Sequence, residues 1–313
     1  MKKLGTNIVA FGECMVELRR HEGPLMAQSF GGDTLNTATY LARLSDGQFS
    51  VQYATAIGDR DSFSQSMIES WENEGIKTDF VRRLAGQLPG LYTIDVDSKG
   101  ERSFAYWRDS SAAKQYFNTD KTPLELNVDL YDVFYFSGIS LAILPPAARG
   151  RLYALLEILK KRGTTVVFDN NYRARLWTSP SECTAAYDQA YRLADIALVT
   201  LSDEMERNHE TDENKSLHQV FSLPPRELII KRGADSTLIR DGEGTQVSIP
   251  VTPVKMIVDT TAAGDSFGAG YLAARMRGLD CEQAAKVGNR LAAKVIQFPG
   301  AIIPLDKMPT LFA

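Results

Sequence analysis

Short apolar runs that alternate with helical patterns constrain the fold of this chain more than any other feature. The runs have the length of buried strands and lie at residues 7–13, 132–138, 164–170, 196–200 and 227–233. Between two of them, residues 150–163 place four leucines on one stripe and end in a basic turn followed by Gly163, as helices do. Such alternation predicts an α/β fold with a mostly parallel central sheet and helices on both faces. Ligands of such sheets bind at the carboxyl ends of the strands.

One stretch departs from this rhythm and predicts a separate small β-sheet. Residues 90–108 alternate in polarity on both sides of a turn at 97–100, which is the pattern of a hairpin, and residues 14–20 also alternate. We expect these strands to form a lid over the active site, with residues 14–30 and 90–109 inserted in a main domain of residues 1–13, 31–89 and 110–313. Apolar side chains on the projecting hairpin could also pair with a second subunit of a homo-oligomer.

Composition narrows the function classes. The 313 residues are 44% hydrophobic and 24% charged with a net charge of -4, so nucleic acid or an anionic membrane is not an expected partner. Three cysteines and three histidines lie far apart, which argues against a zinc site or a disulfide framework. The first apolar run is broken by Gly12 and Glu13, too early for a signal peptide, and no window reaches membrane-spanning length. We therefore expect a cytoplasmic protein.

The segment that begins at Ile257 carries the strongest chemical signal. Ile257 and Val258 predict the end of a strand, and the small residues 262–264 predict a loop that opens a helix at about Asp265. A helix start presents unpaired N–H groups and the positive end of a dipole, which suits a transferring phosphoryl group. Asp265 beside that anion hole would accept a hydroxyl proton from the phosphoryl acceptor. Taken alone, the same aspartate could simply cap the helix.

Two motifs together resemble a known family. Residues 259–265, DTTAAGD, resemble the C-terminal signature of the PfkB, or ribokinase-like, carbohydrate kinases, and residues 29–44 resemble its N-terminal diglycine signature. The resemblance spans essentially the whole chain and implies a ribokinase-like fold, ATP as phosphoryl donor, Mg²⁺ that arrives with ATP, and a monovalent cation near the DTTAAGD loop. It assigns Asp265 as the base and Ala262, Ala263 and Gly264 as the anion hole. Ala262 replaces the glycine that is usual in the family, which restricts the loop but keeps its N–H donors.

Side chains of the lid and of one loop bear on the substrate. Tyr92 and Tyr106 are near opposite ends of the hairpin, Arg108 follows on the same face, and Arg173 follows a predicted strand. Two arginines and two phenols exceed what a neutral sugar needs, and guanidinium groups bind carboxylates, so the cluster fits an acidic sugar. The alternative is that the arginines are solvated and the tyrosines pack the sheet.

Six short segments of the chain bear on the subgroup: GGDTLNTA, GLYTI, FAYWR, NYRARLW, LVTLSDE and VDTTAAGDSF. Taken as a set, they resemble the subgroup that phosphorylates 2-keto-3-deoxygluconate on its terminal hydroxyl to give 2-keto-3-deoxy-6-phosphogluconate. The resemblance implies that the carboxyl and keto end of the sugar meets Tyr92, Tyr106 and Arg108, and that Arg173 bridges substrate and phosphate. It assigns the other substrate contacts to Gly31, Gly32, Asp33, Asn36 and Asp265. The nearest alternative is a fructokinase or ribokinase acting on a neutral sugar.

Nucleotide contacts can be predicted more loosely. The turn after the strand at 227–233 offers Lys231, Gly233 and Ser236, although Lys231 could be ordinary strand-end charge. The remaining contacts follow from the resemblance, which implies Asn171, Arg173, Asn289 and the loop 262–264 on the nucleotide side. The family also has an Asn-x-x-Glu motif that helps to orient magnesium, and in this chain the asparagine of that motif is missing. Glu204 is the nearest match to its glutamate, and the resemblance implies an indirect role for it at the metal. Two other classes of protein are not favoured. A catalytically silent sugar-binding member of the family would lack the base, which is present here, and a dinucleotide-binding oxidoreductase would carry GxGxxG after its first strand, which this chain does not.

Overall fold

The computed structural model describes residues 4–20, 23–96 and 102–312. The strands in this part of the chain are β1 Asn7–Phe11, β2 Met15–Arg20, β3 Met26–Gly31, β4 Ser50–Ala54, β5 Ala56–Gly58, β6 Arg82–Leu84, β7 Gly90–Val96, β8 Arg102–Trp107, β9 Val133–Ser137, β10 Thr165–Asp169, β11 Ile196–Thr200, β12 Glu227–Lys231, β13 Thr237–Arg240 and β14 Gln246–Ile249. The α-helices are α1 Asp33–Ser45, α2 Ser62–Asn73, α3 Pro123–Leu126, α4 Gly138–Ile143, α5 Pro146–Arg162, α6 Pro180–Leu193, α7 Leu201–Arg207, α8 Glu213–Phe221, α9 Ala263–Met276 and α10 Cys281–Val295.

The main sheet has eight strands in the order β14-β13-β12-β11-β10-β9-β1-β4. The six strands from β12 to β4 are parallel, and β13 and β14 add an antiparallel hairpin at one edge. All five predicted runs form strands of this sheet. The predicted helix is α5, whose end is capped by Gly163 at φ 85°. The predicted α/β fold with a mostly parallel sheet is confirmed.

Hydrophobic cores fill both faces of this sheet. Alternate side chains of β1 point to opposite faces, so Ile8 and Ala10 pack with α1, α2, α9 and α10, whereas Val9 and Phe11 pack with α4, α5, α6 and α8. Burial on both faces explains why the parallel strands are continuous apolar runs. With both faces covered, the carboxyl edge of the sheet stays open for side chains that end the strands.

A second sheet of four strands has the order β3-β2-β7-β8. The predicted antiparallel pairing is confirmed, since Tyr92 of β7 lies opposite Tyr106 of β8. The predicted turn at 97–100 lies outside the described residues. The strands of this sheet fall within the predicted lid, except that β3 extends to Gly31. The division into a main domain and a lid stays a prediction.

The strand expected at Ile257 and Val258 is absent from the structure, and this prediction was wrong. Both side chains are exposed, at 59% and 44%, and residues 250–262 contain neither helix nor strand. The β13–β14 hairpin already occupies the edge of the sheet, and the Val258 N–H donates instead to the Ile296 carbonyl just after α10 at 2.9 Å. The DTTAAGD loop is therefore fixed by α10. No helix in the described ranges is long and apolar enough to cross a membrane.

Candidate active site

A cleft of about 570 Å³ lies where the carboxyl edge of the main sheet meets the small sheet. Its volume is in the range of pockets that hold small-molecule substrates. The cleft is lined by Glu13, Met15, Gly32, Asp33, Asn36, Tyr92, Phe104, Tyr106, Arg108, Ile139, Asp169, Asn171, Arg173, Arg175, Thr200, Asp203, Lys231 and residues Thr260 to Asp265. Most residues predicted to contact the sugar or the phosphate thus meet in one place.

Helix α9 starts at the floor of the cleft with free backbone donors. Ala262 precedes it in the left-handed conformation, at φ 59° and ψ 17°, and provides no side-chain cap. The N–H groups of Gly264 and Asp265 find no backbone acceptor among the described residues, whereas that of Ala263 donates to the Thr260 carbonyl. A methyl group at Gly264 would lie 3.4 Å from Lys231 Nζ. Two free N–H groups and an ammonium group therefore face the same space, which is the arrangement of an anion hole.

Ala262 adopts a left-handed conformation at the position where the family pattern has glycine. Glycine adopts this conformation without strain, but alanine pays about 1 kcal/mol or more for it. The loop nevertheless keeps the helix start in place. Of the predicted donors, Gly264 keeps an N–H group that is free among the described residues, whereas Ala263 donates to Thr260, and Asp265 adds a free N–H group that was not predicted.

Asp265 lies in the first turn of α9, and its carboxylate is held by α1. Asn36 Nδ2 donates to Asp265 Oδ2 at 2.8 Å, and Thr37 Oγ1 donates to the Asp265 carbonyl at 3.3 Å. Burial, reinforced by the negative charge of Asp33, raises the pKa of Asp265 to about 8, although the Asn36 hydrogen bond opposes this. With this pKa the group is mostly protonated at neutral pH, and its deprotonated form is a stronger base than an ordinary carboxylate.

The diglycine bend lets β3 and α1 pass close to their neighbours. A methyl group at Gly32 would lie 2.1 Å from the Glu13 carbonyl oxygen, and one at Gly31 would lie 2.3 Å from Tyr92 Oη. Gly32 lines the cleft, but Gly31 does not. The predicted contact of Gly31 with the sugar is thus not seen in the lining, and this glycine instead makes room for Tyr92. Asp33 opens α1 and accepts a hydrogen bond from Asn171 Nδ2 at 2.7 Å.

The small sheet brings aromatic rings and arginines to the other end of the cleft. The rings of Tyr92 and Tyr106 stack with their centroids 5.5 Å apart. Arg175, which sequence reasoning missed, places its guanidinium 3.6 Å from the Tyr106 ring centroid, and that of Arg108 lies 5.9 Å from the same ring. Two guanidinium groups therefore flank one phenol. We call this group, Tyr92, Tyr106, Arg108 and Arg175, the arginine end of the cleft.

Most cations of the cleft are already paired with carboxylates. Glu13 pairs with Arg108, Asp203 with Arg173 at 3.3 Å, and Asp169 with Lys231 at 3.0 Å. Burial raises the pKa of Asp169, and the adjacent Lys231 opposes this shift. Within the described part of the chain, Arg175 forms no ion pair with a carboxylate. An added anion would therefore meet an uncompensated positive charge at Arg175.

Besides Gly31, four predicted site residues do not line the cleft: Glu204, Gly233, Ser236 and Asn289. Glu204 is 2% exposed, and its carboxylate accepts hydrogen bonds from Tyr191 and Arg207. Asn289 is tied to Thr237 and to the Pro250 carbonyl. Gly233 and Ser236 lie in the turn just after β12, beyond Lys231. The described residues contain no group of three or more His, Cys, Asp or Glu side chains that could hold a metal ion.

Sequence reasoning also missed residues that do line the cleft, namely Glu13, Asp169, Arg175 and Asp203. Asp169 is the last residue of β10, and Glu13 follows β1 by two residues. Because ligands collect at the carboxyl ends of parallel strands, position alone could have identified these two. Arg175 carries no such signal, since its place depends on the small sheet.

Comparison with known proteins gives one consistent family. A family model described as pfkB family carbohydrate kinase matches residues 5–308. The 2-dehydro-3-deoxygluconokinase of Dickeya dadantii strain 3937 is 45% identical over 307 residues, covering 97% of this chain and 98% of that protein. The protein of the same name from Escherichia coli K12 is 44% identical over 311 residues, covering 98% and 100%.

The fold has relatives among solved structures. Aminoimidazole riboside kinase from Salmonella enterica, solved with aminoimidazole riboside and an ATP analog, superposes with a TM-score of 0.81 at 24% identity, covering 96% of each chain. Likeness at this identity shows the fold, and it confirms the predicted ribokinase-like architecture. The match of the family model over nearly the whole length shows more: the chain belongs to the pfkB family of carbohydrate kinases.

Proposed function

We propose that this protein transfers the γ-phosphoryl group of ATP to the terminal C6 hydroxyl of 2-keto-3-deoxygluconate, which gives 2-keto-3-deoxy-6-phosphogluconate. The observation that carries the proposal is a single cleft with a high-pKa carboxylate beside free helix donors at one end and two guanidinium groups at the other. The names of the Dickeya and Escherichia relatives support the same substrate.

At the α9 end, the proposed chemistry needs only residues already in place. Asp265 accepts the proton of the C6 hydroxyl as that oxygen forms its bond to the γ-phosphorus and the bond to the ADP oxygen breaks. The N–H groups of Gly264 and Asp265, with Lys231, hold the phosphoryl oxygens where negative charge develops. Asn36 keeps one carboxylate oxygen of Asp265 engaged, so that the other can face the hydroxyl.

The same end fits a nucleotide triphosphate. ATP supplies the phosphoryl group. The N–H groups of Gly264 and Asp265 would give its phosphates donors that the described protein groups leave unused, and Lys231, which already pairs with Asp169, would add a positive charge. The cleft carboxylates Asp33, Asp169 and Asp203 are engaged by Asn171, Lys231 and Arg173. Mg²⁺ would therefore be held by the ATP phosphates and water, and Glu204 would act on it only indirectly. A monovalent cation at the DTTAAGD loop rests on the family pattern alone.

At the arginine end, the substrate carboxylate would neutralise a positive charge that no carboxylate of the described residues pairs with. Arg175 provides the uncompensated cation, and Arg108 is fixed beside it by Glu13. The stacked phenols of Tyr92 and Tyr106 form the wall of the small sheet against which the acid end packs. In this assignment the small sheet acts as a lid that brings Tyr106 to Arg175.

The rate should depend on pH through Asp265. Its pKa is raised to about 8, and the base works only when deprotonated, so kcat/KM for the sugar should rise about tenfold per pH unit below pH 8 and level off above it. The measurement is kcat/KM at saturating ATP between about pH 6 and 9, with ATP binding followed separately. A flat profile across this range would rule out a base with this pKa.

Loss of Arg175 should weaken binding of the acid without slowing the chemical step. Arg175→Met removes a charge-assisted contact, so KM for 2-keto-3-deoxygluconate should rise by roughly tenfold or more while kcat stays within about twofold. Arg192→Met is the matched control, because Arg192 is an exposed arginine of α6 outside the cleft. An unchanged KM in the Arg175 variant would place the carboxylate elsewhere.

The function itself is tested by substrate competition. ATP consumption is measured with 2-keto-3-deoxygluconate, gluconate, fructose and ribose, each at low concentration so that the rates report kcat/KM. The proposal predicts the highest value for 2-keto-3-deoxygluconate. A higher value for fructose or ribose would instead identify a kinase of a neutral sugar.

A further inference from the structure

Three buried polar atoms in the cleft find no hydrogen-bond partner among the described residues. They are Glu13 Oε1, Asn36 Oδ1 and Arg108 Nε, from side chains of residues that are 2%, 6% and 7% exposed. Unpaired buried acceptors and donors are rare in folded proteins because each forfeits its hydration. All three residues line the cleft, and the three atoms, which are buried in this structure, would gain partners from a ligand that reaches them there.

The contacts of these residues fix their order along the cleft. Asn36 Nδ2 donates to Asp265, which places Asn36 next to the base. Glu13 Oε2 pairs with Arg108, which places Glu13 next to the arginine end. Glu13 Oε1 also lies close to the lid, since a methyl group at Gly90 would be 3.0 Å from it. Asn36 therefore lies nearer to the base, and Glu13 lies nearer to Arg108.

This order matches the open-chain substrate of the proposed function. With the C6 hydroxyl at Asp265 and the carboxylate at the arginine end, two hydroxyl groups remain between them, on C5 and C4, and C3 carries none. The protein offers two unpaired acceptors over the same stretch, at Asn36 and Glu13, followed by one unpaired donor at Arg108 for the keto or carboxylate oxygen. Number, polarity and order of the free groups agree.

We propose that Glu13 accepts a hydrogen bond from the C4 hydroxyl and selects the configuration at that carbon. Glu13 thus makes two interactions: one carboxylate oxygen pairs with Arg108, and the other accepts the hydrogen bond from the C4 hydroxyl. Asn36 Oδ1 takes the neighbouring C5 hydroxyl in the same way. The inference rests on the proposed function, because the orientation of the substrate defines which hydroxyl meets Glu13.

The test compares three substrates: 2-keto-3-deoxygluconate, its C4 epimer 2-keto-3-deoxygalactonate, and the analogue that lacks the C4 hydroxyl. Glu13→Gln should lower kcat/KM for 2-keto-3-deoxygluconate by roughly 10- to 100-fold, the value of a hydrogen bond to a charged group. The same variant should lower kcat/KM for the 4-deoxy analogue by a smaller factor, which reports only the weakened hold on Arg108. Selectivity between the C4 epimers should fall toward one.

Glu17→Gln is the matched control. Glu17 is a buried carboxylate of the same small sheet that accepts a hydrogen bond from Tyr92 and does not line the cleft. Its replacement should leave the ratio between the two hydroxylated epimers unchanged. Equal losses on all three substrates in Glu13→Gln would show that Glu13 acts only by holding Arg108 and would overturn the inference.

The unmodified enzyme provides a test that does not depend on a folded variant. Removing the C4 hydroxyl from the substrate leaves Glu13 unpaired, so kcat/KM should fall by roughly 10- to 100-fold relative to 2-keto-3-deoxygluconate. Equal use of both would overturn the role of Glu13 while the proposed function stands. No turnover of 2-keto-3-deoxygluconate at all would be a failure of the proposed function instead.

Discussion

Replacing Asp265 with asparagine is expected to lower kcat for 2-keto-3-deoxygluconate by roughly 100-fold or more, which is the usual contribution of a general base. The amide keeps the shape of the carboxylate and can still accept the Asn36 hydrogen bond, but it cannot take the hydroxyl proton. Binding of ATP and sugar, measured by calorimetry, should stay near that of the unmodified enzyme. Near-normal turnover of Asp265→Asn would contradict the assignment of the base.

The same variant should be more stable at alkaline pH, which separates loss of the base from loss of the fold. The folded-state pKa of Asp265, about 8, lies above the ordinary value near 3.9 of an unfolded chain, so the folded protein binds the extra proton between these pH values. The associated stability is therefore fully present below about pH 3.9 and is lost progressively as pH rises to about 8, because folding then requires the uptake of a proton and, above pH 8, the burial of a charged carboxylate. The neutral amide of the Asp265→Asn variant would avoid this loss.

Thermal unfolding at about pH 5 and pH 9 checks this second effect. The melting temperature of Asp265→Asn relative to the parent should increase from pH 5 to pH 9, since asparagine stays neutral while the parent loses the linked stability over this range. Asp120→Asn is the control, because Asp120 is an exposed aspartate away from the cleft and its replacement should change neither activity nor the pH dependence of unfolding. A variant that is less stable than the parent at both pH values would mean that the carboxylate is structural.

The sheet and the place of Asp265 at a helix start could be predicted from the sequence because their signals are local. Strands buried on both faces must be continuous apolar runs, and β1, β10 and β11 are such runs. Alternation likewise predicted that Tyr92 meets Tyr106, since a hairpin pairs residues at equal distances from its turn. Asp265 was found because its motif and its place at a helix start are read from seven consecutive residues.

Contacts between distant segments could not be predicted. Glu13 and Arg108 are 95 residues apart, and their pairing depends on how the small sheet packs against the end of β1. Arg175 was missed for the same reason, because nothing near it in sequence indicates Tyr106. Val258 shows the opposite error, in which a local apolar pattern predicted a strand but the backbone bonded to Ile296 after α10 instead.

Replacing Arg108 with alanine is expected to lower kcat/KM for 2-keto-3-deoxygluconate by roughly 100-fold, since truncating one partner of a buried charge pair costs about 2–5 kcal/mol and each 1.4 kcal/mol is tenfold. The comparison substrate is the amide of the same sugar acid, which keeps every hydroxyl and lacks only the negative charge. The acid should lose its advantage over the amide in Arg108→Ala. Equal losses on acid and amide would mean that Arg108 does not bind the carboxylate.

A second variant removes the ambiguity that the Glu13 pair introduces. Arg108→Ala leaves the buried Glu13 carboxylate without its cation, which destabilises the fold and could lower activity on any substrate. The double variant Glu13→Gln with Arg108→Met removes both charges and keeps the volume of the side chains. If Arg108 binds the substrate carboxylate, this variant should recover thermal stability relative to Arg108→Ala but should still fail to prefer the acid over the amide. Recovery of that preference would show that the arginine only neutralises Glu13 and that Arg175 alone binds the acid.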